Sequence, residues 1–188
     1  MFPAPFRVVL DACVLFPFTV RDTLLRAAAA DFFQLYWSEE IIEETRRNLV
    51  ATGTTTEEQA ARLVSTMKKA FPDAMVSGYE PFIPAMKNDE KDRHVAAAAL
   101  KAAAQVVVTS NLKDFRELPD GIEAQSPDQF LCNLFDLGPD EFVRLLLAQC
   151  AALKKPSLSF DELLAGMAKV VPNFAAAVRD HVGELDAV

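Results

Sequence analysis

Short apolar segments rich in β-branched and aromatic residues alternate along this chain with segments that have helical periodicity. Strands are predicted at residues 7–10, 33–37, 75–76, 105–109 and 122–124. Helices are predicted at residues 23–30, from residue 38 onwards, and at 57–70 and 91–104. Strands that are connected through helices pair in parallel, with helices on both faces of the sheet. The alternation therefore predicts an α/β fold built on a mostly parallel sheet.

Two polar residues are predicted to begin helices. Asp22 is the expected N-cap of the helix at 23–30, and Ser38 that of the helix after the second strand. Beyond the last predicted strand, residues 139–188 have helical periodicity that is interrupted at Pro156 and Pro172. Their apolar positions must be covered, and we expect them to pack on the sheet or on a partner.

The composition excludes several classes of protein. About half of the 188 residues are hydrophobic, so the chain can form the core of one domain, with or without an appendage. No uncharged apolar run is long enough to span a bilayer, so we expect a cytoplasmic protein without a membrane segment. The three cysteines lie far apart without a CxxC pair, and we expect small buried side chains in a reducing compartment.

The net charge of −8 is unevenly distributed along the chain. Residues 1–116 carry 15 acidic and 14 basic side chains, whereas residues 117–188 carry 12 acidic and 5 basic ones. An acidic protein is not a typical nucleic-acid binder. The first part is nevertheless close to neutral, so its basic residues can still contact phosphates locally.

Carboxylates and amides follow the predicted strands at the points where those strands end. Ligands of an open α/β sheet bind outside the carboxyl ends of its strands, so these side chains are expected at one site. The residues concerned are Asp11 after the first strand, Glu43 and Glu44 in the helix after the second, Asp92 at the start of the helix at 91–104, and Asn111 and Asp114 after the strand at 105–109.

Clustered carboxylates repel one another unless a cation lies between them. Hard oxygen ligands favour Mg²⁺ or Mn²⁺, and such a site can activate a water molecule for in-line attack on a phosphodiester. The chain contains no GxGxxG, P-loop, GxSxG or HExxH motif. Metal-dependent phosphodiester chemistry is therefore the function that these residues favour.

Each of these residues also has a simpler interpretation. Asp11 can cap the segment that follows it, and Asp89 has the position of a helix cap more than that of a ligand. Glu43 and Glu44 both suit the first turns of a helix, and which of them faces the site stays open, with Glu44 favoured. Residues Asn111 and Asp114 can belong to an ordinary turn.

The basic residues beside this cluster are equally ambiguous. Arg93 can contact phosphate or simply lie in solvent, and the same holds for Lys113 and Arg116. His94 is more commonly a packed or solvated residue than a ligand.

Four segments of the chain contain these residues. They are Val8-Val9-Leu10-Asp11-Ala12-Cys13-Val14-Leu15, Ser38-Glu39-Glu40-Ile41-Ile42-Glu43-Glu44, Asp89-Glu90-Lys91-Asp92-Arg93-His94-Val95-Ala96-Ala97-Ala98-Ala99 and Val106-Val107-Val108-Thr109-Ser110-Asn111-Leu112-Lys113-Asp114-Phe115. Singly each is weak, because an aspartate after an apolar strand is common. Taken together, in this order and spacing between residue 7 and about residue 130, they resemble the motifs of PIN domains.

The resemblance implies a PIN-like three-layer α/β/α sandwich and a metal-dependent RNA endonuclease, often the toxin of a toxin–antitoxin pair. By its motifs, the catalytic and metal-binding residues are Asp11, Glu44, Asp92 and Asp114. Thr109, Asn111, Asp89 and Arg93 have supporting roles. Many relatives carry aspartate where Asn111 stands, which puts a second metal ion in doubt.

The implied cofactor is Mg²⁺ or Mn²⁺, and the implied partners are an RNA substrate and a cognate antitoxin, with no membrane. We also expect a homo-oligomer. Residues 1–135 are expected to form the nuclease domain, and residues 136–188 a helical C-terminal extension that packs on this domain or on a partner.

Two other functions compete with this interpretation. A PIN-like scaffold or antitoxin-binding module with a degenerate site is favoured by Asn111 and disfavoured by the four carboxylates. A phosphatase with an aspartyl nucleophile usually has two aspartates separated by one residue, whereas Ala12 and Cys13 follow Asp11 here, so it ranks low.

Overall fold

Five short strands form the sheet of the computed structural model, which describes residues 6–53, 55–154 and 157–186. The strands are β1 (Arg7–Leu10), β2 (Gln34–Ser38), β3 (Met75–Val76), β4 (Val106–Val108) and β5 (Glu123–Gln125). The helices are α1 (Ala12–Leu15), α2 (Phe18–Ala29), α3 (Glu39–Ala51), α4 (Glu57–Ala70), α5 (Arg93–Ala102), α6 (Pro127–Leu137), α7 (Pro139–Ala152), α8 (Phe160–Met167) and α9 (Pro172–Asp186). Short 3₁₀ helices occupy Pro72–Ala74, Glu80–Ala85, Glu90–Asp92 and Leu112–Phe115.

The strand order is β3-β2-β1-β4-β5, and all pairings between the described strands are parallel. The central strands are apolar on both faces because helices cover both faces: Val8, Val9 and Leu10 are fully buried. The predicted α/β class, a PIN-like sandwich with a mostly parallel sheet and C-terminal helices, is confirmed. Parallel pairing brings the carboxyl ends of the strands to one edge of the sheet.

The described residues group into two compact units. Within the described residues, the first unit comprises 6–16, 33–53 and 55–125, and it contains the five-stranded sheet. The second comprises 17–32, 126–154 and 157–186, so α2 belongs with the C-terminal helices α6 to α9. The boundary expected at residue 135, between a nuclease domain and a C-terminal extension, stays a prediction. Of the prolines expected to interrupt the C-terminal helices, Pro172 is the first residue of α9, and Pro156 lies outside the described residues.

Aromatic packing and one buried polar pair hold the second unit together. The ring of Phe142 contacts those of Phe32, Phe135 and Phe174 in edge-to-face geometry, with centroids 5.2, 6.2 and 5.5 Å apart. Thr23 Oγ1 donates a hydrogen bond to Gln149 Oε1 at 2.8 Å, which joins α2 to α7 in the core of this unit. The C-terminal helices therefore share a core with α2.

The boundaries of α2 and α5 differ from the sequence-based prediction. Helix α2 begins at Phe18, and Asp22, the predicted cap, lies inside the helix and pairs with Arg26 at 2.9 Å. Helix α5 begins at Arg93, later than predicted, because Glu90–Asp92 form a 3₁₀ turn. Helix α5 ends at Ala102, and its C-cap residue, Ala103, has a left-handed φ of 51°.

The predicted cap of α3 is present in the structure. Ser38 precedes this helix, and its Oγ accepts a hydrogen bond from the Ile41 N–H at 3.2 Å.

None of the helices in the described part of the chain is long and apolar enough to cross a membrane.

Candidate active site

Asp11 follows β1 directly and is almost completely buried. Its Oδ2 accepts hydrogen bonds from Thr109 Oγ1 at 2.7 Å and from the Cys13 thiol at 3.0 Å. The carboxylate makes no capping hydrogen bond to α1, so capping does not explain this residue. Burial, followed by the charge of Asp11, raises the pKa of Cys13 to about 11, so the thiol stays protonated and able to donate.

The same hydrogen-bond network connects Asp11 to the turn after β4. Thr109 Oγ1 accepts from the backbone N–H of Asn111 at 3.1 Å, and Cys13 Sγ accepts from that of Ser110 at 3.2 Å. Thr109 itself is fully buried. The ends of β1 and β4, which are neighbours in the sheet, are thereby held in a fixed relation, and Oδ1 is left as the Asp11 oxygen not used in these bonds.

Helix α3 directs Glu43 and Glu44 to different environments. Glu43 forms a two-point ion pair with Arg46, with Nη2–Oε1 at 2.6 Å and Nε–Oε2 at 2.8 Å, and this pairing lowers its pKa. Glu44, one residue on and about 100° around the helix, lies 3.5 Å through Oε1 from His94 Nε2. Of the two candidates, Glu44 faces the other carboxylates.

Asp92 is the least compensated carboxylate of the group. Its Oδ2 is buried without a hydrogen-bond donor among the described residues, and Lys91 Nζ lies 3.8 Å from it. Burial raises the pKa of Asp92 to about 6; the charges of Asp11, Asp114 and Asp89 also raise it, and that of Lys91 opposes them. An oxygen in this state is suited to a cation.

Asp114 has a cationic partner within the chain. Its Oδ2 accepts from Lys91 Nζ at 2.9 Å, and this bond, with the charge of Asp92, raises the pKa of the lysine. Its backbone carbonyl accepts from the N–H of Asp89 at 3.0 Å. The Asp89 side chain accepts from the N–H of Lys91 at 3.3 Å, the capping role that was its simpler interpretation. Arg93 donates through Nε to the carbonyl of Asn88 at 3.2 Å.

A cavity of about 320 Å³ brings most of these side chains together. Asp11, Glu44, Asp92 and Asn111 line it, together with Ala12, Cys13, Arg47, Asn48 and Ala51. Asp114 is not among the lining residues. The structure thus gathers three of the four predicted carboxylates around one space, with the Asn111 amide as the polar group contributed by the turn after β4.

His94 lies between two carboxylates and is 5% exposed. Nε2 is 3.5 Å from Glu44 and Nδ1 is 3.7 Å from Glu40, distances of ion pairs that are too long for good hydrogen bonds. Burial lowers the pKa of His94, but Glu44, Glu40 and Asp11 outweigh it, and the pKa lies above its ordinary value. The three side chains also offer ligand atoms within 4.8 Å of one another, as a metal site would.

One family model matches the part of the chain that contains Asp11, Glu44 and Asp92. The family model of the PIN domain matches residues 7–113, more than half of the chain and all four motifs up to Lys113.

The chain belongs to the PIN-domain family.

A second family model, described as the VapC50 C-terminal domain, matches residues 127–180, which lie in α6 to α9. The PIN-domain chain is also 37% identical over 122 residues to a protein of Mycobacterium tuberculosis (strain ATCC 25618 / H37Rv) named "Putative ribonuclease VapC50". That similarity covers 61% of this chain and 72% of the relative. No solved structure gives a significant match.

Three residues of the PIN-domain site were not identified from the sequence. Cys13 was expected to be a buried apolar side chain, but it is half-buried and bonds Asp11; its position two residues after the strand-end aspartate was the available signal. Glu40 and Arg47 lie four residues before and three after Glu44, a spacing that places all three on one side of a helix.

The oxygen-rich lining of the PIN-domain cavity fits a hard divalent cation. The unpartnered Oδ2 of Asp92 and the free Oδ1 side of Asp11 are oxygen ligands of the kind that Mg²⁺ and Mn²⁺ take.

Proposed function

We propose that this protein is a metal-dependent endoribonuclease that hydrolyses RNA phosphodiesters. One observation carries the proposal: Asp11, Glu44 and Asp92 line one cavity beside the carboxyl ends of parallel strands, and the buried Oδ2 of Asp92 has no hydrogen-bond donor among the described residues. The name of the mycobacterial relative includes the word ribonuclease, which supports RNA as the substrate.

The proposed metal-binding and catalytic residues are Asp11, Glu44, Asp92 and Asp114. Mg²⁺ or Mn²⁺, when bound, supplies the charge that makes water a nucleophile near neutral pH and that stabilises the negative phosphate oxygens. Thr109 and Cys13 hold Oδ2 of Asp11 by hydrogen bonds, which leaves Oδ1 for a cation. His94 Nε2 lies 3.5 Å from the Glu44 carboxylate, which it attracts when it is protonated.

Asp114 reaches this role only if its bond to Lys91 is exchanged. Asn111 lines the cavity in its place, and an amide oxygen can orient a water molecule or complete a cation's ligands without adding charge. The proposal therefore requires one metal ion and does not depend on a second one.

The test is cleavage of end-labelled single-stranded RNA by purified protein with Mg²⁺, with Mn²⁺ and with excess EDTA. We expect cleavage with either cation and none with the chelator, leaving 5′-phosphate and 3′-hydroxyl ends. Undiminished cleavage in EDTA would refute the metal mechanism. Absence of cleavage under all conditions would favour the non-catalytic scaffold, the alternative that Asn111 in the cavity supports.

We further propose that the protein is the toxin of a toxin–antitoxin pair, on the basis of its four PIN motifs. Induced expression should then arrest growth of the host, and co-expression of the neighbouring open reading frame should relieve the arrest. Equal growth arrest by the wild type and by Asp92→Asn would contradict a toxicity that depends on cleavage.

A further inference from the structure

Two neighbouring arginines on α3 have different surroundings. Arg46 forms a two-point ion pair with Glu43 and a further short contact with Glu57, so its charge is neutralised locally. Arg47 is exposed and lines the cavity, and no carboxylate of the described residues forms an ion pair with it. It affects Glu43 only through its charge. One arginine is thus structural, and its neighbour is available for a ligand.

The position of Arg47 follows from the helix. Glu44, Arg47, Asn48 and Ala51 all line the cavity, and their spacing of three, four and seven residues defines one face of α3. With a rise of about 1.5 Å per residue, the face runs roughly 10 Å from the carboxylate to Ala51. An RNA strand that lies along this face and reaches Glu44 passes Arg47, and the small side chain of Ala51 leaves space for it.

The charged side chains that line the cavity are predominantly acidic. The charged residues that line it are Asp11, Glu44, Asp92 and Arg47, so within the described part of the chain Arg47 is the one basic side chain in the lining. Lys91 is paired with Asp114 and Asp92, and the Nε of Arg93 is bonded to a backbone carbonyl. A polyanion that enters the cavity meets three carboxylates, and guanidinium binds phosphate oxygens in two-point geometry.

We propose that Arg47 binds a phosphate of a single-stranded RNA substrate adjacent to the carboxylates, and so belongs to the substrate-binding part of the site. This inference rests on the proposed function for the identity of the polyanion. The proposed contact is made by the Arg47 side chain itself, so RNA binding can be measured in EDTA, without cleavage.

The experiment measures fluorescence anisotropy of a fluorescein-labelled 12-nucleotide single-stranded RNA titrated with protein in EDTA, at several salt concentrations. Arg47→Gln should weaken binding by about tenfold and lower the slope of log K against log salt by about 0.7, the value for one lost phosphate contact. Arg47→Lys should keep the slope and lose part of the affinity, because the charge remains and the two-point geometry does not.

Arg46→Gln is the matched control, because it removes the same charge one residue away. It should bind RNA within about twofold of the wild type, as expected for an arginine already neutralised. Melting temperatures of all variants establish that they are folded. In the cleavage assay, Arg47→Gln should raise KM with little change in kcat, the pattern of a lost binding contact.

Three results would overturn the inference: no measurable RNA binding by the wild type, an unchanged affinity and salt slope in Arg47→Gln, or an equal loss in Arg46→Gln. The proposed function fails separately, if the wild-type protein binds the RNA but does not cleave RNA with Mg²⁺ or Mn²⁺. The binding measurement in EDTA therefore tests the role of Arg47 in RNA binding independently of the cleavage assay.

Discussion

Replacing Asp92 by asparagine tests the site through stability as well as through activity. Asparagine is nearly isosteric with aspartate. The change removes a negative charge that burial and the neighbouring charge of Asp11 disfavour. The ion pair lost with Lys91 is long, at 3.8 Å, and lies on an exposed lysine, so it contributes little. We therefore expect the metal-free variant to be at least as stable as the wild type.

The magnitude follows from the pKa of Asp92, which rises from 3.8 to about 6. A shift of this size corresponds to about 3 kcal/mol at neutral pH. Part of the side chain contacts water, and salt screens the rest, so we expect about 1–2 kcal/mol of added stability in EDTA. For a chain of this length that is a rise in Tm of roughly 2–8 °C.

The pH dependence has a definite sign. The pKa of Asp92 is higher in the folded than in the unfolded protein, so its ionisation destabilises the folded state above about pH 6. Asp92 is neutral in both states below about pH 4. The advantage of the variant in EDTA should therefore be full at pH 7 to 8 and should disappear as the pH falls from 6 to 4.

Mg²⁺ should reverse the order of stability. A cation that binds only the folded state raises the free energy of unfolding, by about 2.7 kcal/mol at a hundredfold excess over its Kd, and therefore raises Tm. The variant should respond much less to Mg²⁺. The variant should also lose nearly all cleavage. Asp120→Asn, at an exposed turn, is the control for the charge change. An active Asp92→Asn protein with a wild-type response to Mg²⁺ would remove Asp92 from the site and refute the reasoning.

Three further changes test the surrounding structure. Thr109→Val should lower the free energy of unfolding by about 1–3 kcal/mol, because Asp11 Oδ2 and the Asn111 N–H lose their hydrogen bonds to the hydroxyl. Thr109→Ser retains a hydroxyl and should keep most of that stability. Equal melting curves for the two variants would contradict the hydrogen-bond network. Ala103→Gly should raise the free energy of unfolding by about 0.5–1 kcal/mol, because the left-handed conformation is costly for alanine. Ala102→Gly, at the last residue of α5, should lower it. Truncation after Gly138 should cause aggregation, because it removes Phe142 and Phe174 from the aromatic core and uncovers α2 and α6. A soluble truncated protein that melts cooperatively would show that the helices beyond Gly138 form a detachable, partner-binding arm.

The sheet was predictable because its signal is local. Apolar runs such as Val8-Val9-Leu10 and Val106-Val107-Val108 suit strands covered on both faces, and the helices between them require parallel pairing. The beginning of α2 was not predictable from its cap, because Asp22 has a better partner in Arg26 and the helix extends to Phe18. The end of α5 was missed for a similar reason: the left-handed residue is Ala103, and alanine carries none of the signal of glycine or asparagine.

The site was predictable as far as topology determines it. A strand-end residue such as Asp11 has its place fixed by the sheet, and Glu44 and Glu43 differ by a helical rotation that leaves only two possibilities. The turn after β4 has no such constraint. Whether Asn111 or Asp114 lines the cavity depends on the 3₁₀ turn Leu112–Phe115 and on the ion pair with Lys91, neither of which has a signal in sequence spacing.

The distribution of partners around the carboxylates indicates where a cation is held most strongly. Thr109 and Cys13 donate to Asp11, His94 lies beside Glu44, and Lys91 neutralises Asp114. The buried Oδ2 of Asp92 has no hydrogen-bond donor among the described residues, and its one ion pair, with Lys91, is long at 3.8 Å. A cation therefore gains less from each of the other carboxylates, which have closer partners within the chain, than from Asp92. We therefore expect the affinity for metal to depend on Asp92 more steeply than on Asp114, and a titration of Mg²⁺ against Asp92→Asn and Asp114→Asn measures that difference directly. A larger loss of affinity in Asp114→Asn would mean that the lysine is displaced when the cation binds, and that the ligand set reorganises around the turn after β4.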